Sequence, residues 1–123
     1  MEWTFQPDLP IYTQLVAQMT QAILSGAYAP GARLPAVREL AAEAGVNPNT
    51  MQRAMAELEQ SGLIFSQRTS GRFVTDDETV IDDARHRQAQ RQVDAFWRSM
   101  ALLGYDRDRT LALLTQNEKE EDV

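Results

Sequence analysis

The stretch GVNPNTMQRAMAELEQSGL, residues 45–63, decides the fold of this chain. Its apolar residues follow the i, i+3, i+4, i+7 spacing of one buried helical face: Met51, Ala54, Met55 and Leu58. The other face starts with side chains that can all donate hydrogen bonds: Asn49, Thr50, Gln52 and Arg53. Most surface helices instead start with acidic residues, which suit the positive end of the helix dipole. This start therefore predicts a helix end that contacts a partner.

The two segments before this helix complete a helix-turn-helix unit. Apolar stripes predict a first helix over residues 10–25 and a second over residues 36–44. Gly45 ends the second helix, and Asn47 then caps a third helix whose first position is Pro48. In such a unit, the last helix enters the major groove of DNA, and its N-terminal side chains meet bases and phosphates.

A β-hairpin follows the third helix and adds a wing. Residues 63–65 and 72–75 have strand character on either side of a Thr-Ser-Gly turn. Residues 1–9 read as an extended arm. Residues 1–75 are therefore predicted to form a mainly α domain, a winged helix-turn-helix of three helices and a β-hairpin with an N-terminal arm.

The remaining residues, 76–123, are predicted to form a two-helix dimerisation region. An acidic linker at 76–78 leads into a long helix over 80–103, and Gly104 turns the chain into a last helix capped by Asp106. Apolar residues in the long helix alternate by four and three, a heptad-like seam that one isolated helix cannot bury. We therefore predict that this region pairs with a second copy through Ala89, Val93, Phe96, Trp97, Met100, Leu103, Leu111 and Leu114.

Composition excludes several classes of function. The chain has no cysteine, which excludes disulfides, thiolate metal sites and cysteine nucleophiles, and it has a single histidine. It starts without a signal peptide and contains no apolar run of about eighteen residues, so no membrane partner is predicted and the cytoplasm is the expected compartment. We predict no catalytic residue, no metal site and no cofactor.

The net charge of −6 is unevenly distributed along the chain. Residues 1–75 hold five arginines and six acidic residues, which net −1, whereas residues 76–123 hold seven basic and twelve acidic residues, which net −5. The acidity therefore belongs mainly to the second part, including the sequence NEKEEDV at 117–123, which is predicted to fray as a polar tail. The first part remains able to approach DNA through clustered arginines.

Candidate DNA contacts lie on the second helix, at the start of the third helix and on the wing. Asn and Gln can pair bidentately with adenine, and Arg with guanine. Arg38 suits a phosphate or base contact, and a surface salt bridge to Glu39 or Glu43 is the alternative. Arg68 and Arg72 suit phosphates or a minor groove, or else protect the edges of the hairpin. The full predicted set is Arg38, Asn47, Pro48, Asn49, Thr50, Gln52, Arg53, Arg68, Thr69, Ser70, Gly71 and Arg72.

Three further patterns have simpler explanations than a functional site. Helix capping alone accounts for Asn47 and Pro48. A solvated helix start is favoured over a metal site for the acidic and histidine residues at helical spacing: Asp82, Asp83 and His86. Packing between helices or between subunits is favoured over a ligand pocket for the apolar group Phe96, Trp97 and Met100.

Several spaced motifs resemble one known family. They are PIYTQL from residue 10, the turn G-x-Y-x-P-G-x-x-L-P, the helix R-E-L-A, the cap V-N-P-N-T, and G-L-I followed by G-x-F-V. Over residues 10–74 the chain resembles the winged helix-turn-helix domain of GntR-family transcription regulators. The remaining residues resemble the short two-helix tail of the YtrA subfamily, with an L-G-Y turn before the final helix.

This resemblance implies that particular residues bind DNA. The family's arginine after L-P-x-x falls on Arg38, and the start of its recognition helix and its wing tip fall on the residues already given. Ala36 stands where serine is common, which removes one cap or phosphate contact. The other departures from the family pattern are two core changes and a wing residue in place of a glycine: Met51, Met55 and Thr69.

The sequence therefore predicts a homodimeric transcription regulator, with repression as the expected output. A two-fold dimer would place two groove helices about one helical turn of DNA apart on a pseudopalindromic double-stranded operator. Two helices are too few to enclose an effector pocket of several hundred cubic ångströms within one subunit, so the effector is left open. The alternative is a winged-helix protein-interaction module, which the mild acidity of residues 1–75 leaves possible.

Overall fold

A computed structural model of the chain describes the backbone of residues 1–121 and the side chains of residues 1–118. In chain order, its elements are α1 (Ile11–Leu24), α2 (Val37–Ala44), α3 (Pro48–Ser61), β1 (Ile64–Gln67), β2 (Gly71–Val74), α4 (Glu78–Leu102) and α5 (Arg107–Glu121). This order confirms the predicted mainly α architecture, a winged helix-turn-helix followed by two helices. No helix in the described backbone combines the length and apolar character needed to cross a membrane.

The core of the winged helix-turn-helix forms where α1, α2 and α3 pack together. Leu15 and Met19 of α1, Leu40 of α2, and Met51 and Met55 of α3 are all fully buried. Burial of such a side chain contributes about 1.5–3 kcal/mol. The two methionines of α3 are core residues, as predicted, and their unbranched side chains adapt to the space between the helices.

The turn between α2 and α3 depends on Gly45 and Asn47. Gly45 has a φ of +73°, which side chains with a Cβ rarely adopt, and its N–H closes the last turn of α2. Asn47 is extended, and its side-chain oxygen accepts a hydrogen bond from the Asn49 N–H at 2.8 Å. Because this cap forms and Pro48 is the first helical residue, the capping prediction for both residues is confirmed.

The wing is an antiparallel hairpin that is anchored in the core. Ile64 of β1 lies opposite Val74 of β2, and both side chains are buried. The next pairs along the ladder extend the hairpin away from the core to a turn that the Ser70 N–H closes by donating to the Gln67 carbonyl. The predicted hairpin is therefore confirmed, with each strand within two residues of its predicted bounds.

A third segment pairs with β2, which the sequence did not predict. Arg33 forms a β-bridge with Phe73, and the Leu34 N–H donates to the Arg72 carbonyl at 2.8 Å. The segment before α2 thus runs along the outer edge of β2. Because this edge is covered, the wing is stiffer than a free two-stranded hairpin.

The N-terminal arm is held against α1 by two glutamine side chains. Gln14 and Gln18 each both donate to and accept from the backbone of the arm, at Gln6 and Thr4 respectively. The two amides lie one turn apart on α1. They bond the N–H and carbonyl groups of the arm's backbone, as the backbone of a neighbouring strand would. The predicted arm is confirmed over residues 1–6, whereas residues 7–9 form a turn in which the Leu9 N–H donates to the Gln6 carbonyl at 3.3 Å.

The chain divides into two compact units, residues 1–85 and a second that starts at His86. The first continues past Thr75 because Ile81 and Ala84 of α4 are buried in its core. Arg85 also donates from its guanidinium to the Leu24 carbonyl, at 3.0 and 3.1 Å. The first turns of α4 therefore belong structurally with the winged helix-turn-helix.

The predicted acidic linker at 76–78 is wrong in its last residue, because α4 already begins at Glu78. The Asp77 carboxylate accepts a hydrogen bond from the Thr79 N–H at 3.0 Å and caps the helix, which accounts for the earlier start. At its other end α4 stops at Leu102, so Leu103 lies in the following turn and not in the helix as predicted.

The turn and cap predicted before the last helix are confirmed. Gly104 has a φ of +87°, and the Asp106 carboxylate accepts a hydrogen bond from the Arg109 N–H at 2.9 Å. The prediction that the chain frays from residue 117 is wrong, because α5 continues through Glu121. The last two residues of that prediction, 122 and 123, lie outside the described residues.

Candidate nucleic-acid interface

The start of α3 presents the polar side chains that the sequence singled out. Asn49, Gln52 and Arg53 are exposed and Thr50 is partly buried. The first turn of α3 contains no acidic residue, so no carboxylate offsets the positive end of the helix dipole there. Exposed backbone N–H groups at such an end favour a phosphate.

Arg53 is stacked on an aromatic ring of α1. Its guanidinium carbon lies 3.7 Å from the centroid of the Tyr12 ring. Such a stack fixes the plane of the guanidinium and leaves the N–H groups at its edge able to donate. Sequence spacing could not reveal this pair, because α1 and α3 meet only in the folded chain.

Arg72 connects the wing to α3. Its Nε donates to Glu59 Oε1 at 2.7 Å, and its Nη1 lies 3.4 Å from Gln52 Oε1. The Ser66 hydroxyl of β1 donates to the same carboxylate oxygen of Glu59. Both strands of the wing are thus tied to α3, and Gln52 and Arg72, which were predicted separately, lie side by side.

Glu59 is the centre of this network and stays ionised to lower pH than an ordinary glutamate. The hydrogen bond from Ser66 lowers the pKa of Glu59, and the hydrogen bond and positive charge of Arg72 lower that pKa further, against a smaller opposing effect of burial. The charge of Arg72 is therefore partly neutralised inside the protein, unlike that of a free wing cation.

The wing tip lies free of the helices. Arg68, Thr69 and Ser70 are exposed, and across the described side chains Arg68 forms no hydrogen bond or ion pair. Gly71 closes the tip with a φ of +101°. Of the two predicted wing arginines, Arg68 is thus the one whose guanidinium is not engaged within the chain.

Arg33 is an arginine on the wing that the sequence reasoning missed. It is exposed, and its Nε would lie 3.3 Å from a Cβ built on Gly71. The absent side chain at Gly71 thus makes room for the Arg33 guanidinium beside the wing. The signal that could have found it is its position directly before the Leu34-Pro35 step, in a turn motif that otherwise served only as a family marker.

Arg38 lies on the exposed face of α2. Within residues 1–118, it forms neither the alternative salt bridge to Glu39 or Glu43 nor any other ion pair or hydrogen bond. Glu43 instead accepts from the N-terminal ammonium group at 3.3 Å. The Arg38 guanidinium is therefore available to an external anion.

A cleft between the wing and the start of α2 has a volume of about 130 Å³. It is lined by Arg33, Leu34, Pro35, Ala36, Val37, Gly71 and Arg72. Pockets for drug-sized ligands have volumes of about 300–1,000 Å³, so this cleft is too small for such an effector. Among the described residues, no group of three or more His, Asp or Glu side chains is arranged to hold a metal ion.

Residues 11–74, about half of the chain, match the family described as "Bacterial regulatory proteins, gntR family". The chain belongs to the GntR family. The family resemblance predicted from the spaced motifs is thereby confirmed, and this GntR protein is a DNA-binding transcription regulator.

Individual relatives agree with this assignment. Over 85 residues the chain is 43% identical to the HTH-type transcriptional repressor YtrA of Bacillus subtilis, covering 68% of this chain and 65% of YtrA. It is 35% identical to a solved GntR family transcriptional regulator from Listeria monocytogenes, with a TM-score of 0.85 over 91% of this chain and 98% of the other. The likeness to the Listeria protein therefore includes the two-helix tail.

A third similar structure contains DNA. It is AraR(DBD) in complex with operator ORX1, which is 30% identical, with a TM-score of 0.56 over 61% of this chain and 96% of the other. The part of this GntR regulator that is similar to it is thus a winged unit that, in AraR, has been solved on an operator.

In the second unit of this GntR regulator, apolar side chains lie on the surface. Val93, Phe96, Leu111 and Leu114 are 38–46% exposed, and Leu103 is 72% exposed. Ala89 is also exposed, whereas Trp97 and Met100 are partly buried. Two further exposed leucines, Leu102 and Leu113, lie outside the predicted set. The exposed members of that set are accessible to a partner, and their use stays a prediction.

Proposed function

We propose that this GntR regulator binds a pseudopalindromic operator as a homodimer and represses transcription by blocking polymerase. The observation that carries the proposal is the link from Arg72 of the wing to Gln52 and Glu59 of α3. It ties the wing along α3, from Glu59 near the end of the helix to Gln52 in its first turns, so the wing and α3 would reach the same stretch of duplex.

The proposed contacts divide by chemistry into base contacts and phosphate contacts. The exposed side chains at the start of α3 would reach base edges, and the guanidiniums of Arg38 and Arg68, which have no partner among the side chains of residues 1–118, would bind phosphates. Arg53, whose guanidinium carbon lies over the Tyr12 ring, would donate to the backbone of the duplex. The proposed surface comprises Arg33, Arg38, Asn47, Pro48, Asn49, Thr50, Gln52, Arg53, Arg68, Thr69, Ser70, Gly71 and Arg72.

The second unit is proposed as the dimerisation region. Its exposed apolar side chains, which one copy leaves in water, would be covered by the same surface of a second copy. Residues 1–85 would then hold the DNA-binding surface, and the second unit, which starts at His86, would join the two copies. A two-fold axis would set the two α3 helices about 34–36 Å apart, one turn of DNA.

Relatives support repression as the proposed output. YtrA is named as a transcriptional repressor, and AraR has been solved on its operator. We infer the same class of action for this chain, and we expect no enzymatic activity. As a regulator of transcription it would work where the chromosome is, in the cytoplasm, with an effector left open.

Salt dependence of DNA binding tests the proposal. Operators selected from random duplexes should bind with a Kd that rises steeply between about 50 and 200 mM salt, because each neutralised phosphate releases counterions and adds about −0.9 to the slope of log K against log salt. Arg38→Ala should weaken binding to every duplex and reduce that slope by about one.

The rival function, a winged-helix module that binds a protein, predicts a different result. Its binding to duplex DNA would be weak, unselective in sequence, or nearly independent of salt. If no sequence is enriched from the random pool and Arg38→Ala changes nothing, the protein-partner function replaces the proposed one.

A further inference from the structure

The side chain of Arg72 is fixed from one side by a carboxylate. Its Nε lies 2.7 Å from Glu59 Oε1, and Ser66 of β1 donates to the same oxygen. The two charged side chains are 19% and 31% exposed. A hydrogen bond between two ionised groups is shorter and about twice as strong as a neutral one, so it defines where the rest of the guanidinium points.

That guanidinium lies against one end of the Gln52 amide. Arg72 Nη1 is 3.4 Å from Gln52 Oε1. Because a guanidinium has only donors, it can face the oxygen of an amide but not its NH₂ group, so chemistry fixes which end of Gln52 points toward Arg72. Among the described side chains the Gln52 Nε2 has no hydrogen-bond partner, and the residue is exposed.

We propose that Gln52 reads its base pair as a hydrogen-bond donor only, and that Arg72 acts as the positioning residue that sets this specificity. This inference rests on the proposed function, in which α3 lies in the major groove. With its oxygen engaged by Arg72, Gln52 presents two N–H groups. Guanine offers two acceptors there, N7 and O6, whereas adenine sets its own amino group beside N7.

The consequence is a base preference opposite to that of an unconstrained glutamine. A free glutamine pairs bidentately with adenine, accepting from N6 and donating to N7. An amide that can only donate loses the bond from adenine N6, and its NH₂ group then faces the adenine amino group, which is also a donor. We therefore expect guanine to be preferred over adenine at the base that Gln52 contacts, with thymine, which has the single acceptor O4, next.

Sequence selection with the full-length protein and matched variants tests the inference. Operators are first selected from random duplexes, and Gln52→Ala identifies the base pair whose preference depends on Gln52. At that pair, the wild-type protein should bind guanine about fivefold or more tightly than adenine. Arg72→Met, which keeps the apolar stem and removes the donors, should shift the preference toward adenine.

Two variants serve as controls. Arg68→Met removes an equal charge from the same hairpin without touching Gln52, so it should weaken all duplexes and leave the guanine-to-adenine ratio unchanged. Gln52→Glu keeps an oxygen for Arg72 and turns the exposed end into an acceptor, so its preference should move to cytosine, whose N4 donates. Because each charge change weakens binding to all duplexes, the variants are compared by their ratio of guanine to adenine affinity, in which that uniform loss cancels.

The outcomes separate this inference from the function on which it rests. Enrichment of an operator with adenine at the Gln52-dependent pair, or an Arg72→Met profile identical to that of the wild type, would overturn the inference and leave DNA binding intact. The inference would also be overturned if Gln52→Ala changed the base preference at no position of the operator. Failure to enrich any sequence would overturn both.

Discussion

The two units of this protein treat their apolar side chains in opposite ways. In the winged helix-turn-helix, Leu15, Leu40 and Met55 are fully buried within one copy. In the second unit, Leu103 is 72% exposed and Leu111 is 44% exposed. The first unit therefore completes its own core, whereas the second has apolar surface that a further protein surface can cover.

Net charge does not separate the two units in the same way. The first unit, residues 1–85, holds six basic and eleven acidic residues and nets −5, whereas residues 86–123 hold six basic and seven acidic residues and net −1. Within the first unit, residues 1–75 net only −1 and carry arginines at α2, α3 and the wing, and the acidic excess lies at 76–85. The local arginines, and not the net charge of a unit, therefore favour a polyanion at the winged helix-turn-helix.

Removing the second unit should have the largest effect on function. A fragment ending at Arg85 keeps Ile81 and Ala84, so it should fold, sediment as a monomer and bind its operator about 10²–10⁴-fold more weakly, because two linked half-sites no longer act together. A fragment ending at Thr75 also lacks those core side chains and should unfold at lower urea. A 1–85 fragment that still sediments as a dimer would place the interface in the first unit.

The second largest expected effect is a difference in the free energy of unfolding between the same leucine truncation made in each unit. Leu40→Ala should lower the free energy of unfolding by about 2–5 kcal/mol, because it opens a cavity in the core. Leu111→Ala should change it by less than about 0.5 kcal/mol at low protein concentration. The same variant should raise the dimer dissociation constant in sedimentation equilibrium. Equal losses of stability in urea titrations would show that the second unit has a core of its own.

Two glycines test how the wing is built. Gly71→Ala and Gly26→Ala both force an alanine into a left-handed conformation, at a cost of about 1–2 kcal/mol. A Cβ added at Gly71 would lie 3.3 Å from the Arg33 Nε, whereas a Cβ added at Gly26 would meet no described atom within 4 Å. Thermal unfolding should therefore show the larger loss for Gly71→Ala, and only that variant should weaken operator binding. If both substitutions weakened operator binding equally, Arg33 beside Gly71 would have no role in the DNA-binding surface of the wing.

The smallest predicted effect is that of pH on the wing. The pKa of Glu59 is lowered in the folded state by Ser66 and Arg72, so its contribution is present above the ordinary glutamate pKa and is lost as pH falls through the lowered value. Glu59→Gln should lower stability by about 0.2–1 kcal/mol at pH 7, and the difference from wild type should vanish in acid. Glu57→Gln, an exposed change on the same helix that removes one carboxylate without touching Ser66 or Arg72, is the matched control in parallel urea titrations.

The parts of the fold that follow local rules could be predicted from the sequence. The apolar stripe of α3, the Asn47 cap and the turn before β2 depend on residues within a few positions of one another. The same holds for the polar start of α3, which pointed to the candidate site. The family resemblance then extended that site to Arg38 and the wing.

Contacts between distant segments could not be predicted. Arg72 pairs with Glu59 thirteen residues earlier, Arg53 stacks on Tyr12 of α1, and Arg33 joins the edge of β2. Each depends on tertiary packing that periodicity does not encode. The start of α4 was missed because an Asp-Asp-Glu run suits a linker and a helix cap equally well.

Protection of guanine N7 in a selected operator tests most directly whether paired copies set their α3 helices in successive major grooves. With the full-length protein bound, we predict two protected patches whose centres lie about 10 base pairs apart, or a multiple of that, on one face of the duplex. Both patches should disappear together as the protein is diluted below its dimer dissociation constant. A single protected patch, or two on opposite faces of the duplex, would contradict this arrangement.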